Sequence, residues 1–402
     1  MMELTARQKD FLAAVHAREN IFLTGKAGTG KSFIVRQVID DLKEAGRKVV
    51  AVAPTGIAAN NIDGQTIHSM FSVPPFGVMD YKCCNFLKPG MREVLQKADT
   101  FVIDEVSMLR PDLLDAMNWT LAKNGLLRLT DRQVIFVGDL KQLPPILNDN
   151  TRSVLYQTYN GHTFTYAQIY ERLNVRTIEL DEVRRQDDPD FIEALNVIRD
   201  GGKHPYFRQF VHHEPKGVVL APHNATAQEY NDAGLEAQEG KLLTFCATIS
   251  GSAKPQDFTL EQEIRIKHGC KVMYLVNSEN NPLRNGTLGT FVVRDDNFFI
   301  KVGGVDYEME KVTQTKKEYV YNKESDTLEL EELGSITQYP IKLAYALSIH
   351  KSQGLTFDEV TLDLRRPCFQ KEQLYVALSR VRTPEGLRII TSSTSSASGR
   401  SG

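Results

Sequence analysis

The octapeptide "GKAGTGKS", Gly25 to Ser32, sets two glycines with four residues between them and follows them with a lysine and a hydroxyl. Glycines at Gly25, Gly28 and Gly30 let successive backbone N–H groups turn inward around phosphate oxygens. A helix starting at Lys31 would add partial positive charge to the same place. The Lys31 ammonium then reaches β- and γ-phosphates, Thr29 lines the loop, and the Ser32 hydroxyl is placed for Mg²⁺. Further on, "TFVIDEVSM" ends an apolar run with two adjacent carboxylates, Asp104 and Glu105. Asp104 suits the metal, directly or through water, and Glu105 suits a general base that activates water. Such a pair favours hydrolysis over transfer to a specific alcohol. "VIFVGDLKQLPP" closes a third apolar run and brings Gln142, whose neutral amide can hydrogen-bond both a γ-phosphate and an attacking water. Much later, "ALSIHKSQGLTFDEV" opens a buried stretch into a polar knot: His350, Lys351, Ser352, Gln353 and Gly354.

These groups need a scaffold that presents strand ends together. Over the first 150 residues, "IFLTG", "KVVAVAP", "TFVIDE" and "RQVIFVGD" alternate with amphipathic helical stretches. That rhythm predicts a parallel sheet covered on both faces, with ligands at the carboxyl ends of its strands. "RTIELDEVRRQDDPDFIEALNVIRDGG" reads as a strand, a loop and a helix, the last capped by Asp188, opened by Pro189 and ended by Gly201. From about Leu242 to Tyr339 the texture becomes short alternating strands with Asn, Gly and Asp turns, as in a small β-barrel or sandwich inserted into a second α/β domain. The α/β pattern resumes to "LRIIT", and the Ser/Gly-rich end "SSTSSASGRSG" is expected to be disordered.

No apolar run approaches the ~20 residues of a membrane-spanning helix, and the start lacks a signal-peptide layout, so a cytoplasmic location is expected. Five cysteines without paired spacing read as reduced thiols. With 48 Lys and Arg against 51 Asp and Glu, the chain has no overall coat of positive charge, so any nucleic-acid binding must use a local groove. These residues alone fit a P-loop ATPase. A small-molecule kinase shares the phosphate loop but would lack the second α/β half.

The phosphate loop, "APTGIAA", "DEVSM", "GDLKQLPP", "RRQ", "IHKSQG" and "VALSRVR" stand in the order of superfamily 1 helicases. "GQTIHSMF", "SMLRPDLLD" and "AYALSIHKSQGLTFDEV" most resemble the Pif-type (petite integration frequency) family of RecD-like DNA helicases, over Gln8 to Arg382. The resemblance implies two RecA-like P-loop domains that close over ATP, with parallel sheets and helices on both faces. The first would occupy residues 1–64 and 92–160, with a small wedge insertion at 65–91. The second would occupy 161–241 and 340–391, with a Src-homology-type β-barrel at 242–339 and a tail at 392–402.

Further roles rest on the same resemblance. Gln8 would read adenine, Arg185 (beside Arg184) and Arg380 would reach the γ-phosphate, and Gln353 and Gly354 would edge the nucleotide. Thr55, His68, His223, Asn224, His350, Lys351 and Ser352 would hold the DNA backbone, with Phe71 and Phe76 as stacking aromatics; His223 stands where the family has Thr. The implied activity is ATP- and Mg²⁺-dependent 5'-to-3' travel on single-stranded DNA. It would unwind forked duplex, with G-quadruplexes or RNA–DNA hybrids as further substrates; the alternative is a DNA-stimulated ATPase or translocase without strand separation. The implied activity would be carried out by a monomer and belong to DNA repair, recombination and telomere maintenance. A bacterial or viral origin is expected; in a eukaryotic cell the location would be nuclear or mitochondrial.

Overall fold

The computed structural model describes residues 4–74, 77–182, 188–251, 258–276, 278, 280–322, 324, 327–353 and 355–392. Arg185, Phe76, Gly354 and the tail beyond Ser392 lie outside the described residues. The chain divides into two compact units, residues 1–185 with 317–333, and 186–316 with 334–402.

The first unit is built on six parallel strands: β1 (Ile21–Gly25), β2 (Val49–Ala53), β3 (Gln65–Thr66), β4 (Thr100–Ile103), β5 (Gln133–Val137) and β6 (Arg176–Leu180), in the order β3-β2-β4-β5-β1-β6. Every residue of β2, β4 and β5 is buried, as expected of central parallel strands covered on both faces. Period-2 alternation sends their side chains to two separate cores. Phe22, Val50, Val52, Phe101, Ile103, Val134 and Phe136 enter one core. Ile21, Leu23, Val49, Ala51, Val102, Ile135 and Val137 enter the other, where they meet the helix Lys31–Glu44. That helix buries Ile34, Val35, Val38, Ile39 and Leu42, an apolar stripe at helical spacing.

Three boundaries differ from expectation. Residues 161–182 were expected in the second domain, yet β6 pairs with β1 over five residues, Ile21 opposite Arg176 to Gly25 opposite Leu180. Only Ile178 and Leu180 of β6 are buried, so its half-exposed pattern marks a sheet edge and not the start of a new core. Phe164, Ala167, Ile169 and Leu173 also join the first core. At the other boundary, the expected wedge insertion begins with β3, which pairs with β2. Ile67, Met70 and Phe71 are fully buried, so Phe71 is a core residue and has no face to stack on a base.

The second unit starts its own parallel sheet with β7 (Val218–Ala221) and leaves it for a run of antiparallel strands. These are β8 (Leu243–Cys246), β9 (Thr248–Gly251), β10 (Glu263–Ile266), β11 (Lys271–Tyr274), β12 (Leu288–Arg294), β13 (Asn297–Val302), β14 (Val305–Glu308), β15 (Val312–Asn322), β16 (Thr327–Gln338) and β17 (Ile341–Leu343), of which the parts of β15 and β16 within 317–333 group with the first unit. They form sheets of order β10-β8, β14-β13-β12-β11-β17 and β15-β16-β9, and the pairings among the described residues do not close into one barrel. Phe245, Phe291, Phe298 and Tyr339 pack edge-to-face and stacked inside them. This part ends with β17, beyond the expected boundary at Tyr339, because Ile341–Leu343 pairs with β11. The chain then returns to the parallel sheet through β18 (Ala346–Ser348), β19 (Val360–Asp363) and β20 (Leu387–Ile390), in the order β18-β7-β19-β20. The helix Pro189–Arg199 forms as its spacing predicts: Asp188 accepts the Phe191 N–H at 2.7 Å, and Phe191, Leu195 and Ile198 are buried. Among the described residues no helix is long and apolar enough to cross a membrane.

Phe164 sits 5.0 Å from Phe136, 5.3 Å from Phe22 and 5.2 Å from Tyr170, centroid to centroid. Phe164→Ala is therefore expected to destabilise the first unit by about 3–5 kcal/mol. The sole tryptophan, Trp119, packs against the same core, so its fluorescence in a urea titration reports the change. An unchanged midpoint would place residues 161–180 outside that core.

Candidate active site and nucleic-acid face

Strands β4, β5 and β1 are neighbours in that order, and all three end at the same edge of the sheet. Adjacent strands lie ~4.8 Å apart, so the loops that follow Gly25, Ile103 and Val137 occupy one short row. Close backbone approach holds the row together. Gly25 has φ +150°, and a Cβ there would meet the Leu180 carbonyl oxygen at 2.6 Å. A Cβ on Gly138, φ +159°, would meet the Val106 backbone nitrogen at 3.0 Å, so the "GDLKQ" loop lies directly against the "DEVSM" turn.

In the phosphate loop Gly28 and Gly30 take the left-handed conformation, φ +83° and +82°. The Lys31 Nζ donates to the Gly25 carbonyl at 2.6 Å and the Lys26 carbonyl at 3.0 Å, which holds the ammonium over the loop. Thr29 is buried, and its hydroxyl donates to the Lys26 carbonyl at 3.0 Å, a bond internal to the loop. Gln8 closes a capping box with Thr5 at the start of the helix Ala6–His16. Its amide nitrogen borders the loop: a Cβ on Gly30 would meet it at 3.6 Å. Sequence spacing gives no hint of that proximity, which the helix packing creates.

Asp104 is buried, and its carboxylate accepts the Glu105 N–H at 2.8 Å. Burial, and then the Glu105 charge, push its pKa up to about 7, against the opposing pull of Lys31 and Arg36. Glu105 itself has φ +50°, a left-handed conformation unfavourable to a side chain and of the kind concentrated at functional sites. Gln142 is buried after β5; its N–H donates to the Asp139 carbonyl at 2.8 Å. Ser32 follows Lys31 in the first turn of the helix Lys31–Glu44. Among the described residues no group of three His, Cys, Asp or Glu could hold a metal ion alone. One hydroxyl and one carboxylate, Ser32 and Asp104, are hard oxygen donors of the sort Mg²⁺ takes when phosphates and water complete its shell.

Thr55 follows β2 and caps the helix Gly56–Asn61: its hydroxyl accepts the Ala58 N–H at 3.3 Å. His68 lies in the short helix Ile67–Met70, and burial beside Arg110 holds its imidazole below the usual range, so the ring is neutral at pH 7.

At the carboxyl ends of β7 and β18 in the second unit, rings gather. Phe369, 53% exposed, has His350 stacked at 5.7 Å with a 12° interplanar angle, and His223 at 5.3 Å. The His223 Nε2 also lies 3.2 Å from the Pro367 carbonyl oxygen. Asn224 opens the helix Asn224–Ala237 and is exposed, as is Lys351. Gln353 N–H donates to the His350 carbonyl at 3.3 Å.

Two expected contact residues are turned inward in this structure. Ser352 is fully buried and donates to the Ile349 carbonyl at 2.8 Å, because one turn of 3₁₀ helix rotates it inward. Arg380 is buried, and its guanidinium donates to the Val376 and Leu355 carbonyls and the Ser379 hydroxyl, at 2.9, 3.3 and 2.9 Å. It serves its own unit as a lock between neighbouring turns.

The reading of the sequence also missed Phe369 and Lys342. An isolated aromatic in the polar stretch "RRPCFQKEQ" was the available signal for the first. Nothing in the sequence signals the second: β17 carries Lys342 into the field of Lys351 and Glu261, and burial beside Lys351 lowers its pKa to about 8.

The buried Asp104 has a consequence for stability. An unfolded carboxyl titrates near ~4, whereas in the fold Asp104 holds its proton to about pH 7. The folded state thus binds a proton that the unfolded state has lost, and stability falls as pH rises through that window. Asp104→Asn is expected to raise the melting temperature of the nucleotide-free protein at pH 8 and to leave it nearly unchanged at pH 4. Equal shifts at both pH values would refute a protonated Asp104.

Comparison with known proteins gives the row of loops its context. A family model described as PIF1-like helicase matches residues 3–206, and one described as viral superfamily 1 RNA helicase core domain matches 252–390. The "ATP-dependent DNA helicase Pif1" of Bdellovibrio bacteriovorus is 30% identical over 97% of this chain and 88% of its own. The structure of a Bacteroides Pif1 in complex with ADP-AlF4 superposes with a TM-score of 0.85 at 30% identity, covering 98% of this chain and 96% of that one. A Bacteroides Pif1 bound to single-stranded DNA matches with a TM-score of 0.69 at 31% identity, covering 97% and 92%. With half of its length matched by the family model and near-complete alignment to such relatives, the chain belongs to the PIF1-like helicase family.

Proposed function

We propose that this chain is an ATP-dependent DNA helicase that moves 5'-to-3' along single-stranded DNA and separates duplex. The observation that carries the reading is the row of loops at one sheet edge: the Lys31 ammonium, the Asp104–Glu105 pair and Gln142 follow three adjacent parallel strands. Support for the substrates comes from relatives named as DNA helicases and from the single-stranded-DNA and ADP-AlF4 complexes of their structures.

In this reading Lys31 exchanges its bonds to the Gly25 and Lys26 carbonyls for phosphate oxygens, and Gln8 meets the adenine. Ser32 and Asp104 would hold Mg²⁺, which would supply positive charge against the charge developing on the phosphate. As a ligand Asp104 would be the ionised carboxylate, its proton given up to solvent. Glu105 takes a proton from the attacking water, and Gln142 orients that water. For Arg185 and Arg380 the proposed role is contact with the γ-phosphate, which for Arg380 requires giving up its present carbonyl partners. The DNA backbone is assigned to Thr55, His68, His223, Asn224, His350 and Lys351. The low pKa of Lys342 beside Lys351 fits the same assignment, because an anionic phosphate would stabilise two neighbouring cations.

Lys31→Ala is expected to abolish ATP hydrolysis. Glu105→Gln should keep nucleotide binding while lowering turnover by about 10²–10⁴-fold, the usual worth of a general base. Gln353→Ala should reduce DNA-stimulated hydrolysis more than DNA-free hydrolysis. The deciding experiment compares unwinding of duplexes with a 5' or a 3' single-stranded tail. DNA-stimulated hydrolysis without unwinding of the 5'-tailed duplex would leave a translocase, and no DNA stimulation at all would reject both.

A further inference from the structure

Between Gly77 and Lys88 the first unit carries an excursion that is fastened along the helix Pro111–Lys123 and the residues flanking it. The Asp112 carboxylate accepts the Met79 N–H at 2.7 Å, the Asn124 amide oxygen accepts the Leu87 N–H at 2.9 Å, and Lys123 Nζ donates to the Cys84 carbonyl at 2.7 Å. Arg110 ties down the Gly77 carbonyl at 2.7 Å. A loop held at so many backbone points is a rigid support.

On this support two large rings face outward. Phe86 is 75% exposed and Tyr81 51% exposed, and the Lys123 ammonium lies 5.6 Å and 5.4 Å from their centroids. Exposed aromatics of this size are costly unless used, and a cation placed over both rings makes a poor seat for an apolar protein surface. A separate feature adjoins them. Tyr81 also lines a cavity of about 280 Å³ together with Trp119, Gln168, Arg128 and Arg172. Asp115, the carboxylate at that cavity, is engaged by the Gln168 and Ile169 N–H groups at 3.1 and 2.9 Å. Solvent-exposed rings beside Lys123, Arg128 and Arg172 match the two parts of a single strand, flat bases and a phosphate backbone.

The place is distinct from the ATPase loops. Lys123 ends a helix that begins at Pro111, just after the Asp104–Glu105 turn, and thirteen helical residues span ~20 Å.

We propose that Tyr81, Phe86 and Lys123, with Arg128 and Arg172 behind them, form a second single-stranded nucleic-acid site that takes the strand the motor does not carry. The inference rests on the helicase reading above. Bases stack on the two rings, and the cations meet the adjoining phosphates.

The test uses the full chain without nucleotide and a labelled duplex, in two forms: one single-stranded tail, or unpaired tails on both strands at one junction. The two-tailed form is expected to bind more tightly by roughly five- to a hundred-fold, the usual worth of one stacked base. Tyr81→Ala with Phe86→Ala should bring that ratio close to one, and Tyr81→Trp with Phe86→Trp should keep it. Both positions are exposed, and hydrolysis stimulated by plain single-stranded DNA should be unchanged in the alanine variant. An equal affinity of the native protein for both duplexes, or a ratio untouched by the alanines, overturns the site. Loss of DNA-stimulated hydrolysis in the alanine variant overturns its separation from the motor. Absence of that stimulation in the native protein would instead reject the helicase reading, and the affinity ratio would still decide the site by itself.

Discussion

The chemistry of the first unit depends on parallel strands ending at one edge. Because β1, β4 and β5 run the same way and are hydrogen-bonded neighbours, whatever follows each strand is delivered to the same row. Backbone contacts then set the fine spacing. The Gly25 backbone sits so close to β6, and the Gly138 backbone so close to Val106, that any side chain would push the loops apart. The two cores that clamp the sheet supply the energy to hold this edge rigid, since each central strand buries residues on both faces.

That rigidity tolerates an electrostatic expense. Asp104 is withdrawn from water beside a second carboxylate, and Glu105 holds a left-handed backbone, both unfavourable in isolation. Lys31 and Arg36 only partly offset the burial of Asp104. On the proposed reading, a dication and phosphates would add opposite charge beside the carboxylates and the lysine. The second unit shows a related economy in Lys342, a largely buried cation beside Lys351 that an anion would relieve.

Much was legible from the residues. The strands of the first sheet stand out as short apolar runs, and the loops that carry chemistry stand out as glycine, carboxylate and amide at their ends. The helix Pro189–Arg199 follows from its cap and its stripe of apolar positions. Less legible were the units' edges. A half-exposed strand such as β6 has the same local pattern whichever sheet it joins, and its partner, β1, lies some 150 positions earlier in the chain. Phe71 and Phe86 are both aromatics near the same excursion, yet one is wholly buried and the other is 75% exposed.

The sequence by itself determined the phosphate loop, the carboxylate pair, the alternation of strand and helix and the family resemblance. Each of these is written in local spacing, and local spacing is enough to fix backbone conformation over a turn or two. Tertiary structure decided which side chains face inward or outward and which distant groups meet. It turned Ser352 into the core, locked Arg380 onto Val376, Leu355 and Ser379, set Gln8 beside Gly30 and gathered His223, His350 and Phe369 into one cluster. The reason is that burial and pairing between residues far apart in sequence depend on packing of whole elements, which no short window of sequence contains.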